Sequence, residues 1–203
     1  MKILNLYAGL GGNRRAFSDK DEVTAIEWDE KIANVYKNKY PNDEVIITDA
    51  HKYLLEHYEE YDFIWSSPPC PTHSRIREIA RYKHDKEGNI YEQNKPVYPD
   101  MTLYQEILFL DNFFEGKFVV ENVIPYYEPL IKPQKLGRHL FWSNVEFPPQ
   151  KFEPRGNFDN VEKLAEISGY TLDELKGLNK RTVLRNCVEK DIAEYIYKCV
   201  KEA

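Results

Sequence analysis

Short apolar runs alternate with segments of helical periodicity through the first half of the chain. Residues 3–8 form one such run, ending in Gly9-Leu10-Gly11-Gly12, and residues 23–28 form a second. Residues 29–40 then place Ile32, Ala33, Tyr36 and Tyr40 at helical spacing. A third run lies at 45–48, a helix at 51–58 on Tyr53, Leu54 and Tyr58, and a fourth run at 63–65, stopped by Pro68-Pro69. Residues 102–114 carry Leu103, Ile107, Leu110 and Phe114 in helical register, and 118–123 form a fifth run. Strands alternating with helices predict an α/β fold with a mostly parallel, doubly wound sheet. Such a sheet binds ligands at the carboxyl ends of its strands.

The pattern breaks between residues 72 and 99, a long polar stretch of the kind usually kept for function. Beyond it, 139–147 reads as a hairpin or edge-strand region and 161–168 and 172–176 as short helices. Residues 188–200 read as a terminal helix with Ile192, Tyr195, Ile196 and Cys199 on one face. No repeat or second core is evident, so 1–203 is expected to be a single domain.

Composition narrows the class. Charged residues are 31% and aromatics 14% of the chain. No apolar run is long enough for a membrane span, and the opening residues lack a signal peptide's pattern. A cytoplasmic protein without a membrane partner is expected. Three cysteines argue against a disulfide framework. The net charge of -6 counts mildly against a nucleic-acid ligand, yet the 73–99 stretch holds Arg75, Arg77, Arg81, Lys83, His84 and Lys86.

The candidate chemistry lies after the strands. Glycines after the first strand let the backbone approach a ligand. Glu27 and Trp28 end the second strand, where an acid can hold ribose hydroxyls and an indole can stack on adenine. Asp49 follows the third, in reach of an adenine amine. Singly, a solvated Glu27, a core Trp28 and a helix-capping Asp49 are the commoner uses of such residues. Together they favour an adenosine pocket, and no lysine follows the glycines as in a phosphate loop. Cys70, in Pro68-Pro69-Cys70-Pro71, is held in the cleft as a thiolate nucleophile. His73 alone does not complete a zinc site, so no metal is expected. Glu121 ends the fifth strand, where a carboxyl group beside a pyrimidine N3 would make thiolate addition at carbon 6 easier.

The set Tyr-Ala-Gly-Leu-Gly-Gly (7–12), Glu-Trp (27–28), Pro-Pro-Cys (68–70) and Glu-Asn-Val (121–123) resembles the DNA cytosine-5 methyltransferase family. The resemblance runs from residue 3 to about 147 and resumes near 181. It implies a Rossmann-like class I S-adenosylmethionine-dependent methyltransferase fold. The implied activity is methyl transfer to C5 of a flipped cytosine in DNA through a covalent Cys70 adduct, leaving S-adenosyl-L-homocysteine. It assigns Tyr7, Ala8, Gly9, Leu10, Gly11, Gly12, Glu27, Trp28, Asp49, Ala50 and Pro68 to the cofactor. Cys70 becomes the nucleophile and Glu121 the N3 partner, while Arg138 and His139 compete for the role of the family's base-contacting arginine. Asn186 and Cys187 resemble the final turn over the cofactor, although Arg185 stands for its usual glycine and Glu189 for its usual proline.

Only roughly 35 residues, 146–180, stand where the family inserts a large target-recognition domain. Ser74, Arg75, Arg77, Arg81 and Lys83 are therefore expected to contact DNA and partly replace it, although a merely solvated loop is the plain alternative. Short targets, relaxed specificity or a homodimer spanning the duplex would follow, and the compact layout resembles phage-type members. Action on RNA or a free nucleotide, and a non-catalytic cofactor-dependent DNA-binding regulator, are the competing readings.

Overall fold

The computed structural model describes all residues except 76–78, 80, 93, 96 and 154–159. Its main sheet has seven strands in the order β3-β2-β1-β4-β7-β9-β8. These are β1 (Lys2–Leu6), β2 (Glu22–Ile26), β3 (Glu44–Ile46), β4 (Phe63–Ser66), β7 (Lys117–Val123), β8 (Gln134–Leu136) and β9 (His139–Ser143). The five strands from β3 to β7 pair in parallel, and β9 runs antiparallel to both of its neighbours. The expected α/β, mostly parallel doubly wound sheet is present.

The chain winds outward from β1 through β2 to β3, then crosses back to β4. The strand order therefore reverses between β1 and β4, which opens a crevice at their carboxyl ends. Every residue of β4 is buried, as a strand covered on both faces requires. On one face Phe63 and Trp65 pack with Val119, Phe141, Ile192 and Ile196. On the other, Leu4, Leu6 and Ile64 pack with Leu54, Leu103, Ile107 and Leu110.

The helices follow their signals. In α1 (Glu30–Lys39) the Asp29 side chain accepts from the Lys31 and Ile32 amides, and Pro41 follows the end. In α2 (Ala50–His57) Asp49 caps the Lys52 amide. Next come α3 (Thr102–Phe113) and α4 (Val161–Ser168), the latter stopped by left-handed Gly169. The last two are α5 (Lys180–Arg185) and α6 (Lys190–Glu202). Among the described residues no helix is long and apolar enough to cross a membrane.

Three expectations need correction. The predicted helix at 172–176 is a series of turns. Thr171 and Glu174 satisfy each other's amides there, and Gly177 sits at φ 86°. For 139–147 the hairpin reading holds and the edge-strand reading does not: β9 is an inner strand that pairs antiparallel with the edge β8 through a turn at Gly137, φ 56°. The polar stretch 72–99 is also not all loop. It carries a separate antiparallel hairpin of β5 (Tyr82–His84) and β6 (Ile90–Glu92).

Candidate active site

The β1 turn is built for close approach. Tyr7, Gly9 and Gly11 have φ of 55°, 54° and 73°, so the backbone curls back under itself. Glu27 fixes the curl: its Oε2 accepts from the Gly9 amide at 2.9 Å and its Oε1 from the Asp29 amide at 3.0 Å. Trp28, next in line, is 83% exposed, an indole face standing open beside the turn. Asp49 spends Oδ1 on the Lys52 amide. Ala8, Leu10 and Ala50 turn their side chains into the core, so their backbone is what faces the crevice. Cys187 is buried against Gly12 and donates weakly to the Val183 carbonyl. Asn186 is exposed and caps α5 through its backbone amide.

Sequence reasoning missed the anchor beneath this turn. Glu106 of α3 is wholly buried. It accepts from the hydroxyls of Tyr7 and Ser66, each at 2.6 Å, and lies 3.1 Å from His51 Nδ1. One carboxylate thus ties the ends of β1 and β4 to the start of α2. Burial together with Glu106 pushes the Tyr7 phenol well up, so it remains a donor. Glu106 interrupts the apolar register of Leu103, Ile107 and Leu110, which was the available signal.

At the β4 end, Pro68-Pro69-Cys70 is fastened to β7 at two points. The Ser67 hydroxyl donates to Glu121 Oε2 at 2.9 Å and accepts from Trp65 Nε1 at 3.1 Å. The Asn122 side-chain amide donates to the Pro68 carbonyl at 3.0 Å. The strands are neighbours, with Ser66 opposite Val120. Cys70 is partly exposed, and its carbonyl accepts from the His73 and Ser74 amides in a tight turn. Burial and then the nearby Glu121 carboxylate push its thiol up, while Arg138 pulls it down. Cys70, Glu121 and Arg138 therefore share one electrostatic neighbourhood.

Arg138 and His139 both belong to it, in different places. His139 is buried on β9, with Nε2 3.6 Å from Glu121 Oε1 and Nδ1 3.4 Å from Glu189 Oε2. Arg138 turns to Glu189, with Nε donating to Oε1 at 2.6 Å and Nη2 to the Arg185 carbonyl at 3.2 Å. Burial would raise Glu189, but His139 and Arg138 outweigh it and hold the carboxyl at about 2.

The basic residues after Cys70 divide. Ser74 bridges to Pro125, and Arg75 Nε donates to the Pro125 carbonyl at 3.0 Å, so the loop base is stitched to the segment after β7. Arg81 pairs with Glu92 at 2.5 Å within the hairpin, which weakens its claim on a phosphate. Lys83 is exposed, opposite Tyr91. Arg77 lies outside the described residues. Among the described residues no group of three or more His, Cys, Asp or Glu is placed to hold a metal ion.

Residues 1–97 match the family model for the C-5 cytosine-specific DNA methylase. The chain is 24% identical over 115 residues to the type II methyltransferase M.Bsp6I of Bacillus sp. strain RFL6, covering 55% of this chain and 36% of that protein. The match thus spans about a third of the curated relative. Among solved structures, a Spodoptera frugiperda DNMT2 mutant aligns at TM-score 0.38 with 23% identity, covering 60% of this chain and 35% of the other. The Entamoeba histolytica methyltransferase EhMeth aligns at TM-score 0.44 with 12% identity, covering 81% and 59%.

Proposed function

Starting from the cytosine-5 methylase match over residues 1–97, we propose that this chain transfers a methyl group from S-adenosylmethionine to carbon 5 of cytosine in DNA. The observation that carries the reading is the pairing of Cys70 and Glu121 at adjacent strand ends, locked by the Ser67 and Asn122 bonds. A lone cysteine has no need of a carboxyl group beside it, whereas attack on a pyrimidine uses both.

The turn at 7–12, Glu27, Trp28 and Asp49 form the cofactor's cradle. Left-handed backbone, an anchored acid and an open indole suit a nucleoside carrying no phosphates. When bound, the cofactor supplies an electrophilic methyl group. The protein's residues supply the rest. The Cys70 thiolate adds to carbon 6 while Glu121 holds a proton at N3, so the ring's electron pair becomes available at carbon 5. After methylation the carbon-5 proton leaves to water, its electron pair expels the thiolate, and the ring is restored. Carbon 6 is shielded in a stacked duplex, so the base must be flipped out. The partly exposed Cys70 beneath the stitched loop is a fitting receptor for it.

The test is incubation of the protein with S-adenosylmethionine and duplex DNA containing 5-fluorocytosine, which cannot lose a proton from carbon 5. A denaturant-stable protein–DNA adduct that vanishes in Cys70→Ser is the expected outcome. Adducts on transfer RNA or methylation of dCTP, with none on DNA, would transfer the activity to those substrates.

A further inference from the structure

Three ionisable side chains line up behind the attacking cysteine, and all are largely removed from water. The side chains of His139, Glu121 and Glu189 are 6%, 9% and 14% exposed. Ionised groups this deep persist only with partners. Glu189, at the entry to α6, stands between two basic groups: Oε1 accepts from Arg138, and Oε2 lies 3.4 Å from His139 Nδ1, close enough to pair but not hydrogen-bonded to it. The other imidazole nitrogen is thereby directed at Glu121 Oε1, whose companion Oε2 is engaged by Ser67.

We propose that Glu189 is a positioning residue of the active centre, and that His139, oriented by it, delivers the proton Glu121 needs. This rests on the cytosine-methylation reading. The reaction makes conflicting demands, a deprotonated Cys70 beside a protonated Glu121. An ionised Glu121 hinders the thiolate, and its protonation removes that hindrance. An imidazole exchanges a proton near neutral pH, and a buried carboxylate on its far nitrogen fixes which nitrogen faces the acid.

The step is a transfer from imidazolium to carboxylate. The Nε2–H bond breaks, an Oε1–H bond forms, and both groups become neutral with no change in total charge. As the thiolate adds to carbon 6, Glu121 releases that proton to N3. On expulsion of the thiolate it returns through Glu121 to His139. The 3.6 Å separation is longer than a hydrogen bond, as such contacts often are before substrate closes the site. The charged and titratable groups facing His139 are Glu121 from β7, Arg138 beside it on the β8–β9 turn and Glu189 from the α6 entry. Cys70 lies in the same field.

Two readouts test this. In the substrate-free protein, ¹⁵N-histidine spectra, with His139 identified by its loss in His139→Gln, should show one tautomer of the neutral ring with the hydrogen on Nδ1. Glu189→Gln should abolish that preference and Glu189→Asp should keep it. In adduct formation on 5-fluorocytosine DNA at saturating cofactor and DNA, Glu189→Gln should slow trapping about tenfold and move the alkaline limb to lower pH. Glu189→Asp should restore the profile. A slower reaction with an unshifted pH profile, or an unchanged tautomer, overturns the proposal. If the wild-type protein traps no DNA while the tautomer responds as expected, the methylation reading falls and the Glu189–His139 pairing stands.

Discussion

At the scale of single residues, the site depends on contacts that small substitutions can test. Cys70 is the clearest case. Burial and the Glu121 carboxylate raise its thiol above the ordinary value. Less thiolate is therefore present at neutral pH than on a free cysteine. Glu121→Gln removes the negative neighbour, so site-resolved alkylation of Cys70 by iodoacetamide should gain its rate at lower pH than in the wild type. A profile that stays in place would mean that residue 121 does not act on the thiol. Gly12 is a second case. A Cβ there would stand 2.9 Å from the Cys187 Cβ and 2.9 Å from the Val188 amide nitrogen. Backbone cannot step aside as a flexible side chain can, so Gly12→Ala should cost about 1–3 kcal/mol. A melting temperature lowered by several degrees and weaker cofactor binding are expected. A variant as stable as the parent would show that the turn and the segment before α6 are not in contact.

At the scale of elements, what was legible in the sequence was what is local. The strand ends at Gly9, Glu27, Cys70 and Glu121 carry short signals next to continuous apolar runs, and β1, β2, β4 and β7 lie where those runs predict. The β5–β6 hairpin has no such signal, because its six strand residues are all exposed and nothing imposes an apolar alternation. The three-residue edge β8 is likewise too short for a period. Glu189 and Glu106 act across large separations in the chain, so only the folded structure reveals their partners. The hairpin is the element whose role is most open to experiment. A two-stranded ribbon fits the DNA major groove, and this one displays Lys83, Tyr91 and His84 to solvent. Lys83→Glu should weaken DNA binding several-fold and reduce the slope of log affinity against log salt by about one. The melting temperature should stay the same, since the side chain packs on nothing buried. Equal affinity and slope would remove the hairpin from the interface.

At the scale of the whole molecule, α6 is held to the body by two carboxylates as well as by its apolar face. Asp21 accepts from the Tyr197 hydroxyl and the Ser18 amide. Burial would raise its carboxyl, but the Tyr197 hydroxyl, the Met1 ammonium 2.9 Å away and, least, the Ser18 amide outweigh burial and lower it. Glu189, just ahead of α6, falls from an ordinary 4.5 to about 2 through His139 and Arg138. A depressed carboxyl contributes stability above its unfolded value and loses it as pH falls through the folded one. For Glu189 the window runs from about pH 4.5 to about 2, and the contribution is on the order of 3 kcal/mol. Below it, Arg138 and His139 lose the carboxylate that stands between them. The strands lean on acids less, because apolar burial and ladder bonds run the length of β1 and β4 and Glu106 ties only their ends. Acid should therefore release α6 before the sheet. Hydrogen exchange followed from pH 6 downward should show amides of Lys190–Glu202 losing protection ahead of those of Phe63–Ser66. Glu189→Gln should show much of that loss already at neutral pH, and the gap between variant and wild type should close as the wild-type carboxyl becomes protonated. Simultaneous loss in helix and strand at every pH would mean that the apolar face alone holds α6 in place.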